Sequence, residues 1–87
     1  MSAGLTILYF AWVRERIGLD QDVIAPPEPG MTIAALLDAL SAKGEGYKAA
    51  FETRARLRAA LDQRFVPLDT VIGEARELAI FPPVTGG

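Results

Sequence analysis

Neither cysteine nor histidine occurs among the 87 residues of this chain, and that double absence limits how it can fold and what chemistry it can carry. Without cysteine there are no disulfides, thiol nucleophiles, thiolate-bound metals or persulfides held on a side chain. A domain this short buries only somewhat more than ~60% of the surface its unfolded chain exposes, so one apolar core of modest stability must hold it together. Without histidine, acid–base chemistry near neutral pH falls to a perturbed Asp, Glu or Lys, or to a partner.

The apolar pattern supplies such a core. Leu5 to Ala11 reads as a strand that is apolar on both faces, with Leu5, Ile7 and Tyr9 on one and Leu8 and Phe10 on the other. A strand of that kind belongs in the middle of a sheet or under a partner. Val13 to Ile17 suggests a short helix ending at Gly18, and Gln21 to Ala25 a second strand able to pair antiparallel with the first. Pro26, Pro27, Pro29 and Gly30 then break regular structure. Thr32 is a helix N-cap ahead of Ile33, Leu36, Leu37 and Leu40, which recur at the i, i+3, i+4, i+7 spacing of an amphipathic helix closed by Gly44. That apolar stripe is core.

Tyr47, Ala50 and Phe51 predict a further helical turn. Leu57 to Leu61 reads as a strand, Asp62-Gln63 as a tight turn into Arg64 to Val66, and Asp69 to Ile72 as irregular or a single helical turn. Glu77 to Phe81 is the last strand. The order hairpin, helix, returning strands fits an α+β architecture in which one main helix crosses a sheet, with the first and last strands parallel at its centre. The expected organisation is a domain over 1–81 and an extended tail over 82–87.

Phe81-Pro82-Pro83-Val84-Thr85-Gly86-Gly87 is the segment to which we assign chemistry. The prolines offer no N–H, so the strand must leave the sheet at Phe81 as an extended arm. Seven residues reach roughly 23 to 25 Å, far enough to enter a partner's active site. Gly86 and Gly87 lack a Cβ and are thin enough to thread a narrow channel. The expected reactive group is the α-carboxylate of Gly87.

A formal charge of −2 argues against nonspecific nucleic-acid binding. Lys48, Arg54, Arg56 and Arg58 form a local basic stretch that reads as a solvated rim or as a contact patch for an acidic partner. Apolar residues make up 51% of the chain before glycine is counted, against ~45–50% in typical soluble domains with glycine included. That excess suggests an uncovered apolar face meant for a partner. The run from Leu5 to Val13 is too short to span a bilayer and follows no basic residue, so neither a membrane helix nor a signal peptide is expected and the location defaults to the cytoplasm.

Phe10-Ala11-x-x-Arg14-Glu15-x-x-Gly18, Phe65-Val66-Pro67-Leu68-Asp69 and the closing Phe-Pro-Pro-Val-Thr-Gly-Gly together resemble the small subunit of molybdopterin synthase, the MoaD family of sulfur carriers. The resemblance covers the whole chain, and the closing motif is its most specific part. It implies a ubiquitin-like β-grasp with a mixed sheet of about five strands. It also implies a cycle on Gly87: an activating enzyme of MoeB type adenylates the carboxylate with ATP, a sulfur donor converts it to a thiocarboxylate, and a large synthase subunit of MoaE type, in a heterotetramer, builds the molybdopterin dithiolene with that sulfur. No cofactor or metal is expected to stay bound to the chain. Family members usually have glycine where Ala75 stands and asparagine where Asp62 stands; if the first turn needs positive φ, either Ala75 is strained or the turn moves toward Gly73.

The tail residues Phe81, Pro82, Pro83, Val84, Thr85 and Gly86 are assigned to the partner's channel. Phe81 can alternatively finish the core strand, and Thr85 can offer a hydroxyl hydrogen bond. Phe10 and Arg14 are candidates for partner docking, Arg14 by a donor fork suited to a carboxylate, although an ion pair with Glu15 or another nearby acid would explain it equally. Trp12 is either a lid on the core or an interface anchor. Rival functions are a sulfur carrier for thiazole synthesis or tRNA thiolation, a ubiquitin-like modifier joined to lysines, and a plain interaction module.

Overall fold

The computed structural model describes residues 4–83. Five strands form one sheet in the order β2-β1-β5-β3-β4: β1 Leu5–Tyr9, β2 Gln21–Ile24, β3 Arg58–Leu61, β4 Arg64–Val66 and β5 Glu77–Phe81. β1 pairs antiparallel with β2 and parallel with β5, so the first and last strands lie side by side at the centre, as expected. Three helices, α1 Ala11–Ile17, α2 Ile33–Ser41 and α3 Glu45–Phe51, accompany the sheet, with a 3-10 turn at Arg54–Arg56. Leu5, Ile7 and Tyr9 from β1, Leu78 and Ile80 from β5, and the α2 stripe Ile33, Leu36, Leu37 and Leu40 share one buried cluster. This is the α+β arrangement that the element order predicts and the five-stranded mixed sheet of the β-grasp that the family resemblance implies.

Several boundaries differ, each for a local reason. β1 stops at Tyr9 instead of Ala11 because Ala11 takes φ 55°, a left-handed turn that starts α1. For a residue with a Cβ that conformation costs roughly 1–2 kcal/mol. α2 is capped by the Thr32 hydroxyl, which accepts the Ala35 N–H at 3.1 Å, but it ends at Ser41, well before Gly44. The Lys43 N–H reaches back to the Leu40 carbonyl and tightens the last turn, while the Gly44 carbonyl accepts from Lys48 and starts α3. α3 is accordingly longer than the single turn expected.

α3 packs on α1 at backbone distance. A Cβ on Gly46 would lie 2.6 Å from the Arg16 carbonyl oxygen and 3.3 Å from the Ile17 Cα, closer than atoms tolerate, so only glycine permits this contact. The turn before β5 resolves the question raised by Ala75. Gly73 takes the positive φ, at 62°, and Ala75 is not among the residues with positive φ. Asp62 and Gln63 both adopt positive φ between β3 and β4, a hairpin geometry that Asp tolerates better than most residues. The Asp62 carboxylate also accepts the Arg76 and Glu77 N–H groups, each at 3.0 Å. It thereby ties the hairpin to the start of β5.

One polar cluster braces the helical side. The Tyr9 and Tyr47 hydroxyls both donate to Asp22 Oδ2, at 2.8 and 2.7 Å, linking β1, β2 and α3. Burial, reinforced by the hydrogen bond to Asp22 and by its charge, pushes the Tyr47 phenol up to about 12 and raises Tyr9 as well. An acid whose folded pKa is raised keeps its proton after the unfolded chain has lost its own. The bonus is complete below the ordinary phenol range near 10 and is lost as pH climbs through 12. Urea unfolding should therefore show a midpoint that declines above about pH 10, with a shallower decline in Tyr47→Phe.

Candidate functional site

The face of the sheet opposite the core follows from strand alternation. Thr6 and Leu8 on β1 and Ala79 and Phe81 on β5 alternate with the buried residues of those strands, and register places Arg58 and Ala60 on β3 and Phe65 on β4 on the same face, although Ala60 is itself buried. Register aligns them into rows: Leu8 opposite Ala79, Ala79 opposite Ala60, Ala60 opposite Phe65, and Arg58 opposite Phe81. Two alanines at the centre of these rows leave a shallow trough bounded by larger side chains. Phe65 is 80% exposed, and its ring lies 5.5 Å from that of Phe81 at 45°. A groove of about 400 Å³ opens between Phe65, Phe81, Val66, Pro67 and Arg58.

Phe10 extends this apolar rim. It is 45% exposed, and its N–H donates to the Ile80 carbonyl at 3.2 Å, which places it where β5 approaches its end. β5 stops at Phe81, and the partly buried Pro82 and Pro83 make no further ladder. Pro82 and Pro83 thus follow the central strand at the edge of the apolar groove. Phe81 ends the central strand partly buried and lines the groove of this chain. Val84, Thr85, Gly86 and Gly87 lie outside the described residues.

Arg14 is exposed on α1. Among the described residues the salt bridge is Arg54 with Asp38, at 2.5 Å, so Arg14 is not paired with Glu15. The basic stretch divides by use. Arg54 also donates to the Phe51 and Ala34 carbonyls, and Arg58 to those of Ala55 and Leu57, so both brace the segment leading into β3. Arg56 instead stacks on Trp12, as Arg16 does from the other chain segment, with guanidinium carbons 5.7 and 4.8 Å from the ring centroid. Trp12 is partly buried and packs against the core, which makes it the lid of the two roles considered.

Phe65 and the Trp12 stack are the features that sequence reasoning did not assign to a site. Phe65 stands in a three-residue strand, too short for alternation to reveal which face it occupies, and its closeness to Phe81 depends on β3 lying between them. Among the described residues no cluster of Asp and Glu has the grouping of a metal site, and no helix is long and apolar enough to cross a membrane.

A model of the ThiS family matches residues 7–87. A protein of Haemophilus influenzae named molybdopterin synthase sulfur carrier subunit is 37% identical over 83 residues, spanning 95% of this chain and 99% of its own length. The Escherichia coli protein of the same name shows the same identity and coverage. Among solved structures, molybdopterin converting factor subunit 1 from Pyrococcus furiosus superposes with a TM-score of 0.72 at 26% identity, covering 95% of this chain and all of that one. SAMP1 from Haloferax volcanii gives 0.69 at 25% identity over 97% of this chain and 99% of its own.

Proposed function

The chain belongs to the ThiS family, and from that premise we propose that it is the sulfur carrier subunit of a molybdopterin synthase. The observation that carries this reading is the route of β5, which runs through the centre of the sheet and into Pro82-Pro83 beside an uncovered apolar face. A partner seated on Phe65, Phe81 and Phe10 would receive the residues beyond Pro83 in its active site. Similarity over nearly the full length to two proteins named as such carriers supports the choice of pathway.

The chemistry is placed on Gly87. Its carboxylate oxygen attacks the α-phosphorus of ATP on an activating enzyme, expelling pyrophosphate and leaving an acyl-adenylate. A carboxylate is a poor acyl donor, and AMP supplies the leaving group it lacks. Sulfide-level sulfur from the donor then bonds to the Gly87 carbonyl carbon as the C–O bond to AMP breaks, and AMP leaves with the bonding pair, so no change of oxidation state is needed. The large synthase subunit, of MoaE type and in a heterotetramer, uses the resulting thiocarboxylate to build the dithiolene in the cytoplasm, while an enzyme of MoeB type performs the activation. Bases that work near neutral pH come from these partners, since this chain has no histidine. It holds no cofactor of its own.

The test is the mass of the intact protein after incubation with activating enzyme, ATP and sulfur donor. The expected result is one oxygen replaced by sulfur, located on Gly87, with dithiolene formed only when the large subunit is added. An unchanged mass with a competent activating enzyme refutes the proposal. The likeness to SAMP1 favours one second reading, attachment to lysine amines through the same activated carboxylate. Isopeptide-linked products in place of sulfur incorporation would select it.

A further inference from the structure

Trp12, Arg16 and Arg56 form a unit that the tail chemistry does not use. Arg16 and Arg56 come from α1 and from the 3-10 turn, and both guanidinium groups lie over the same indole. Both arginines are exposed, and neither has a carboxylate partner among the described residues, where the ion pair is Arg54 with Asp38. The indole itself is fixed by packing on the core. A guanidinium laid on an aromatic face is held there by cation–π attraction and keeps its N–H edge free. Both guanidinium groups are therefore held against one indole, with their rotamers restricted before anything binds.

Their place in the fold relates them to the arm. The 3-10 turn leads directly into Arg58, the register partner of Phe81. α1 follows directly on Phe10, whose N–H is bonded to the Ile80 carbonyl. The stack thus stands at the same end of the sheet as Pro82 and Pro83, on the helical side of the arm, whereas the Phe65 groove lies on the other side. A partner receiving the arm from the apolar face meets the stack at its rim.

We propose that Trp12, Arg16 and Arg56 form a preorganised cationic clamp that engages an acidic surface of the large synthase subunit, and this rests on the function proposed above. Charge argues for a protein carboxylate surface over nucleic acid. The chain as a whole is acidic, at −2, and the clamp is a local patch of two cations without the continuous basic field that phosphate backbones need. Arginine forks match carboxylates in bidentate geometry. Charges at an interface rim act mainly on the association rate and its salt dependence.

The experiment measures association of the full chain with the large subunit by stopped-flow at low and high salt. The reversals Arg16→Glu and Arg56→Glu, together, should slow association about tenfold at low salt and flatten its salt dependence, with dissociation and the melting temperature little changed. Trp12→Leu, which keeps an apolar side chain but no aromatic face, should give an intermediate loss with both charges present. Rates equal to wild type in either variant overturn the clamp and leave these residues a solvated rim. Failure of the wild type to associate overturns it too. So does unchanged partner binding accompanied by lost affinity for a single-stranded RNA oligonucleotide. Association that depends on the clamp but is followed by no sulfur transfer from a thiocarboxylated chain would instead refute the proposed function and leave the clamp standing.

Discussion

Deleting Gly87 should abolish sulfur incorporation and product formation while leaving the unfolding transition of the domain unchanged. The two halves of that expectation have separate physical origins. Activity should fall to nothing because the proposed reacting atom is the carbonyl carbon of residue 87, and shortening the chain by one residue withdraws the new carboxylate by up to about 3.3–3.6 Å. A displacement of even 1 Å at a reacting centre can cost about a hundredfold. Stability is untouched because the described core, from Leu5 to Ile80, is complete without that residue. Intact mass after activation and a thermal melt on the same sample measure both. A truncated chain that still supported dithiolene formation would end the carrier assignment.

The elements that position this chemistry were readable because each rests on a local rule. The α2 stripe repeats at helical spacing, the Asp62-Gln63 turn separates two short apolar runs, and two prolines must end β5. The parallel pairing of β1 and β5 was legible as topology, since a hairpin, a crossing helix and a returning strand leave few arrangements. What could not be read was lateral. Phe65 reaches Phe81 only across β3, and Arg16 meets Arg56 only over Trp12, about 40 positions apart in the chain. No periodicity encodes such contacts. The division of the basic stretch was hidden for the same reason, because Arg54 finds Asp38 on another helix.

That lateral assembly makes Phe65 the side chain whose change should separate binding from folding most cleanly. Phe65→Arg should weaken association with the large synthase subunit by about 30-fold or more, the scale of an interface hot spot worth ~2 kcal/mol. The aromatic ring is 80% exposed in the free chain, so little of the fold depends on it, and substitutions at such positions usually shift stability by no more than about 0.5 kcal/mol. In the complex the same ring and its neighbour Phe81 would be desolvated together over the alanine trough of Ala60 and Ala79. An arginine there would bring a charge into a contact that is apolar on this side, at a desolvation cost. Arg58 borders the groove already, so like charges would meet across it. Calorimetric titration with the large subunit, alongside urea unfolding of the free variant, reads the two effects separately. Affinity equal to wild type would show that the partner does not sit on this face, and an equal loss in stability would show that Phe65 serves the fold instead.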